Sequence, residues 1–135
     1  MMRILIVEDD LASRKFLSKF LSAYGECDIT IDGIEALEAF MLSWDDGKPY
    51  DLICLDIMMP ELDGIKTLKA IRDMENHKGV EESKRAKVIM TTALNDTGSV
   101  LNAFETGCEV YAAKPIDTNK LIDVMKKLNL IKESE

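Results

Sequence analysis

Apolar and polar positions along this chain follow two rhythms in turn. Arg3-Ile4-Leu5-Ile6-Val7 is a compact run rich in β-branched residues. Ile29 to Ile31, Asp51 to Leu55, Lys87 to Thr91 and Val110 to Ala113 are similar, and together they predict five short strands. Between them apolar residues recur three and four apart. Phe16, Leu17, Phe20, Leu21 and Tyr24 predict a first helix, with Gly25 placed as its C-terminal cap. Ile34, Leu37, Ala39, Phe40 and Met41 predict a second, and Ile65, Leu68, Ile71 and Met74 a third. Val100, Ala103 and Phe104 predict a fourth, and Leu121, Ile122, Met125 and Leu128 a fifth. Asn76 to Arg85, polar and containing His77 and Gly79, reads as an exposed loop, and Asp45-Asp46-Gly47-Lys48-Pro49 as a surface turn.

Strand followed by helix, five times over, predicts a doubly wound α/β fold. Crossovers between parallel strands are normally helical and right-handed, so a five-stranded parallel sheet should carry helices on both faces. The 135 residues suit a single domain, 1–135, and 47 % hydrophobic with 31 % charged residues is the composition of a globular chain. A net charge of −8 argues against direct binding to nucleic acid or to an anionic membrane. The apolar run that ends at Glu8 is too short for a signal peptide or a membrane span, so a cytoplasmic location is expected. Cys27, Cys54 and Cys108 are odd in number and widely spaced, which suggests reduced structural thiols rather than a disulfide framework or a zinc site.

In a sheet of this kind ligands sit beyond the carboxyl ends of the strands. The first strand ends in Glu8-Asp9-Asp10 and the third in Asp56, so carboxylates from two strands emerge at one edge. Such a cluster raises its own proton affinity unless a hard cation offsets the repulsion. Mg²⁺ is the natural candidate, because it takes one or two carboxylates and leaves positions for water and phosphate oxygens. The fourth strand ends in Thr91-Thr92-Ala93 and the fifth runs into Lys114-Pro115, bringing a hydroxyl and an ammonium to the same edge. A phosphoryl group, with charge on three equatorial oxygens, would be held by such a set. No Ser-His or Cys-His pair is apparent, so the nucleophile should be a carboxylate.

Ile4-Leu5-Ile6-Val7-Glu8-Asp9-Asp10, Asp56-Ile57-Met58-Met59-Pro60-Glu61-Leu62-Asp63-Gly64, Thr92-Ala93 and Lys114-Pro115 resemble, in order, the signatures of response-regulator receiver domains. The resemblance covers essentially the whole chain and implies a flavodoxin-like (βα)5 fold with strand order 2-1-3-4-5. It implies that Asp56 accepts a phosphoryl group from a sensor histidine kinase or phosphotransfer protein. Asp9 would then ligate Mg²⁺ directly, Glu8 through water, and Asp56 and the Met58 backbone carbonyl would complete the metal set, while Asp10 is a neighbour. Thr92 and Lys114 would bind phosphoryl oxygens, with a cis Lys114-Pro115 bond aiming the lysine inward, and Gly64 would permit the turn before the third helix. Tyr111, three residues before the lysine, takes the place of the family's switch aromatic and would turn inward as Thr92 moves. A downstream target would read the face of helix four, strand five and helix five, and a homodimer is also allowed for. Receivers catalyse their own phosphorylation and dephosphorylation, yet their role is that of a switch. Apolar Met58 and Leu94 flank the site and favour a long-lived phosphoryl state.

Each element taken alone has a plainer reading. Glu8-Asp9-Asp10 also suits a solvated turn opening a helix, Lys114-Pro115 an ordinary turn, Thr92 a strand-end hydroxyl and Tyr111 a half-buried strand residue. Their conjunction outweighs these readings. An aspartyl-nucleophile phosphatase of the haloacid-dehalogenase kind wants a second acid two residues on, where Met58 stands. A flavin carrier wants a phosphate loop after strand one, where Glu8-Asp9-Asp10-Leu11 would repel phosphate. With no linker or DNA-binding segment after helix five, the chain resembles a stand-alone receiver of the chemotaxis-messenger type, an excised domain of a larger regulator being the alternative.

Overall fold

The computed structural model describes residues 2–59, 62–93 and 97–132. Leu94, Pro60 and Glu61, named above, lie outside the described residues. β1 (Met2–Val7), β2 (Gly25–Thr30), β3 (Leu52–Asp56), β4 (Lys87–Ala93) and β5 (Val110–Lys114) alternate with α1 (Leu11–Leu21), α2 (Gly33–Asp45), α3 (Gly64–His77), α4 (Thr97–Thr106) and α5 (Thr118–Lys127). All strand pairs are parallel and the sheet order is β2-β1-β3-β4-β5. This is the expected doubly wound sheet.

Alternation along the strands divides the core in two. Leu5, Val7, Ile53 and Leu55 pack with Ala36 and Phe40 of α2, Leu68 and Ile71 of α3 and Ala103 of α4. Ile4, Ile6, Leu52 and Cys54 face the other way, onto Leu17 and Leu21 of α1 and Leu121 and Met125 of α5. β3 is buried at all five positions, which is why its sequence is apolar without alternation until the terminal Asp56. Aspartates start four helices: Asp10, Asp32, Asp63 and Asp117 each accept a backbone N–H from the first turn of α1, α2, α3 and α5 respectively.

Two local expectations are corrected. Gly25 is not a helix cap: α1 ends at Leu21 with Ser22 as its cap, and Gly25 opens β2. A Cβ on Gly25 would lie 2.3 Å from the Met2 carbonyl oxygen, so the glycine is there to let β2 approach β1. His77 is not in a loop but is the last residue of α3, and a 3-10 turn at Glu82–Lys84 orders part of the segment that follows.

Far from the carboxyl edge, Arg72 joins α3 to the starts of β4 and β5. Its guanidinium pairs with Glu75 at 2.7 Å and with Glu109 at 2.5 Å, and donates to the carbonyls of Gly107 and Ala86 at 3.0 and 2.9 Å. Glu75 is buried and accepts the Ala86 N–H at 2.9 Å, while Glu109 accepts the Val88 N–H at 3.1 Å. A buried charge of this kind is tolerable only when every donor and acceptor finds a partner, as happens here.

Candidate functional site

β1 and β3 are hydrogen-bonded neighbours with Val7 opposite Leu55, so the chain delivers Glu8 and Asp56 to one place beyond their carboxyl ends. Glu8 is wholly buried, Asp56 is 4 % exposed, and Asp9 is exposed beside them. One carboxylate oxygen from each of Glu8, Asp9 and Asp56 lies within 4.8 Å of the other two. Lys114, the last residue of β5, reaches across: its Nζ donates to Glu8 Oε1 at 3.1 Å, stands 2.9 Å from Oε2 and 3.3 Å from Asp56 Oδ2. The Lys114-Pro115 peptide bond is cis.

The electrostatics follow from that crowding. Burial, then the hydrogen bond and charge of Glu8, push the Asp56 carboxyl up to about 7, and Lys114 offsets only part of this. Burial opposes the Lys114 ammonium, but Glu8 and Asp56 outweigh it and hold its pKa above the ordinary lysine value. Glu8 Oε2, although close to Nζ, is a buried acceptor without a well-directed hydrogen bond among the described residues. The site therefore has acceptors in excess of donors, the condition that a cation and its waters relieve.

The remaining expected residues fall around this centre. The Met58 N–H donates to Asp56 Oδ1 at 3.2 Å, which fixes the turn after β3, and its side chain is 65 % exposed. Thr92 is buried in β4, opposite Ala113, one residue before Lys114. Tyr111 lies on β5 and is 44 % exposed, its ring edge-on to Phe104 with centroids 5.8 Å apart. Asp10 caps α1 by accepting the Ser13 N–H at 2.9 Å, as the plainer reading of that acidic run had it. Gly64 has a reason beyond a turn: a Cβ there would lie 2.1 Å from the Asp56 carbonyl oxygen, so α3 can start against the end of β3 only without one.

Two contributors were not singled out in the sequence. Arg14 Nη1 donates to the carbonyls of Glu8 and Asp9 at 3.1 and 3.2 Å and braces the acidic loop from within α1. A basic residue in the first turn of the helix after the acidic run was the available signal. Thr91 Oγ1 is buried without a hydrogen bond among the described residues, on the residue opposite Asp56 in the β3–β4 register; adjacent threonines gave no way to separate it from Thr92.

Residues 4–126 match the family model described as response regulator receiver domain. Chemotaxis protein CheY of Treponema pallidum is 30 % identical over 123 residues, which cover 90 % of this chain and 78 % of that protein. Hybrid signal transduction histidine kinase L of Dictyostelium discoideum is 32 % identical over 126 residues, 93 % of this chain but 7 % of the kinase. A solved structure of the receiver domain of the Saccharomyces cerevisiae response regulator Ssk1, crystallised with the phosphotransfer protein Ypd1, superposes with a TM-score of 0.80 at 26 % identity. It covers 98 % of this chain and 93 % of that one. A sheet of this order, an acidic cluster at its carboxyl edge facing a lysine, and a family match from end to end place the chain among the response-regulator receiver domains, the signalling switches of two-component systems.

Proposed function

We propose that Asp56 is the nucleophile of this receiver and takes its phosphoryl group from a phosphohistidine on a sensor kinase or phosphotransfer protein, the whole chain acting as one unit in the cytoplasm. The observation that carries the reading is the buried Asp56 carboxylate, 3.3 Å from the Lys114 ammonium and grouped with Glu8 and Asp9. An Asp56 oxygen bonds to phosphorus as the P–N bond breaks, and the donor imidazole leaves with that electron pair. Lys114 then shifts its contacts toward the oxygens of the acyl phosphate, joined by the Thr92 hydroxyl. The same groups serve when acetyl phosphate is the donor, so the phosphorylation is self-catalysed.

Mg²⁺ fits the residues present. Asp9 and Asp56 would ligate it, Glu8 would act through water and the Met58 carbonyl would add an oxygen; the ion would neutralise charge on the transferring group. The buried Glu8 Oε2, ion-paired with Lys114 but without a directed hydrogen bond among the described residues, supports that fit. Beside the site, an apolar cleft of about 230 Å³ between α1 and the Pro115-Ile116 segment, lipped by the half-exposed Phe16, gives the donor protein a surface to rest on. The output surface is the face with exposed Leu101, Phe104 and Tyr111, read by a target protein or a second copy of the chain. Inward rotation of Tyr111 would break its contact with Phe104 and change that face.

The test is intact mass after incubation with acetyl phosphate and Mg²⁺. One phosphoryl adduct is expected on the wild type, none after chelation, and none on Asp56→Asn. An adduct that survives on the Asn variant would move the nucleophile elsewhere.

A further inference from the structure

α2 packs on α3 and on β1 and β2, the last being the edge strand of the sheet, and its outer side faces solvent. The exposed positions of α2 are Ile34, Glu35, Glu38, Met41, Leu42 and Asp45. Ile34, Met41 and Leu42 are 49 %, 47 % and 59 % exposed, and the other three are acids. Spacings of three and four put Ile34, Glu38, Met41, Leu42 and Asp45 on one side of the helix, in a row of roughly 16 Å. Asp32 and Asp46 stand at the two ends of α2, which contains no basic residue. Neighbouring α3 exposes Lys66, Lys69, Asp73, Asn76 and His77, the mixed polar face of a helix that meets only water. Single exposed apolar side chains are ordinary, but three in one row, edged by charges of one sign, mark a surface that another molecule covers. Met41 also borders the open groove of about 420 Å³ between the C-terminal ends of α2 and α3, where an apolar side chain of that molecule could enter. Lys78, with its Nζ 5.8 Å from the centroid of the Trp44 ring, lies at this C-terminal end and off the outward row.

The charges choose among the molecules that could cover the row. A second copy of the chain would set Glu35, Glu38 and Asp45 against the same three acids, and an anionic lipid surface would meet the same repulsion. The backbone of α2 is spent on its own hydrogen bonds, so the row offers side chains alone. An extended segment laid on it would find no partner for its N–H and C=O groups, whereas a helix brings these already paired. We propose that the outward face of α2 is a docking surface for a basic amphipathic helix of a partner protein, whose apolar stripe packs on Ile34, Met41 and Leu42 while its Lys or Arg side chains meet Glu35, Glu38 and Asp45. The face is separate from the acidic cluster around Asp56 and from the exposed Leu101, Phe104 and Tyr111.

The probe is a fluorescein-labelled peptide with Leu and Phe spaced i, i+3, i+4, i+7 and Lys at the other positions, titrated with the full chain and followed by anisotropy. Two further peptides control for charge: one has the same residues reordered so that no apolar stripe forms, and the other has Glu in place of every Lys. The striped basic peptide should bind, and the other two should bind at least about 10-fold more weakly. Ile34→Ser and Leu42→Ser leave the net charge of the chain unchanged and alter only exposed positions, so far-UV circular dichroism should stay as it was. Each should weaken the striped peptide by about 10-fold, the effect of losing one anchor. Glu38→Gln should weaken it by about 2- to 5-fold, while Glu82→Gln, which removes the same charge from an exposed turn elsewhere, should not. The proposal is overturned if the reordered peptide binds as tightly as the striped one, if the two serine variants bind it like the wild type, or if no binding is seen at about 1 mM chain. It is overturned equally if sedimentation shows the wild type to be a dimer that either serine variant dissociates, because a second copy then covers the row. The readout involves neither phosphorylation nor Mg²⁺, so it stands or falls apart from the receiver chemistry.

Discussion

The Asp56 carboxyl, raised to about 7 by burial and by Glu8, has two consequences that can be measured. Its ionised, nucleophilic fraction grows as pH rises through about 7, so phosphorylation by acetyl phosphate at limiting Mg²⁺ should rise over that range, with a lower midpoint at saturating Mg²⁺. Stability runs the other way. A folded-state pKa above the unfolded value means that the folded chain binds more protons between pH 4 and 7, so metal-free stability falls as pH rises through that window. Asp56→Asn removes the charge that burial and Glu8 both disfavour, and at pH 8 without metal it should raise unfolding free energy by about 1–3 kcal/mol. Denaturant titration at pH 5 and pH 8 checks this, and an equal or lower stability for the Asn variant at pH 8 would show that Asp56 carries no such cost. Gly64→Ala is a different residue-scale prediction. Its new methyl meets backbone 2.1 Å away rather than a mobile side chain, so a loss of at least about 2 kcal/mol is expected in the same titration.

At the scale of elements, the strands and helices were legible because their patterns are strict. β1 and β3 are nearly pure apolar runs, and α3 and α5 carry clear three-four spacing. The start of β2 was not legible: Gly-Glu-Cys-Asp holds an edge strand through backbone pairing with β1 and has little apolar signal of its own. Gly25 looked like a cap because a glycine after a helix usually is one, and only the close approach of Met2 shows otherwise. The site was legible at Glu8, Asp9, Asp56 and Lys114, where parallel strands bring their ends to one edge. The bracing by Arg14 was not, since it depends on how α1 leans over the acidic loop. Nor was the Arg72 pairing with Glu109, which are 37 positions apart in the chain. Arg72→Met should destabilise by about 3–5 kcal/mol, because it leaves the buried Glu75 and the half-buried Glu109 without their cation. Burial already raises the Glu109 pKa while Arg72 and Lys87 pull it down, so in the Met variant Glu109 takes up a proton more readily. The deficit should therefore be smaller at pH 5 than at pH 8, and a pH-independent deficit measured by denaturation would assign the loss to packing alone.

For the molecule as a whole, the proposed Mg²⁺ site ties folding to metal and proton binding through one carboxyl. The unfolded chain has no reason to hold Glu8, Asp9 and Asp56 within 4.8 Å of each other, so the ion binds only the folded state. At a hundred times its dissociation constant it adds about 2.7 kcal/mol, a rise in melting temperature of roughly 3–8 °C for a domain of this size. Binding favours ionised Asp56, so protons compete: the shift should be full near pH 8 and shrink as pH falls below about 7, where the carboxyl is increasingly protonated. A chain of net charge −8 also gains from any salt by screening, so the comparison has to be made against KCl of equal ionic strength. Asp9→Asn removes one exposed ligand without disturbing a buried group, and it should lose most of the Mg²⁺ shift while keeping the metal-free melting temperature. If instead the wild type and Asp9→Asn respond alike, or the wild-type shift is the same at pH 5.5 and pH 8, the stabilisation comes from diffuse screening and the acidic cluster is not the place where the metal acts.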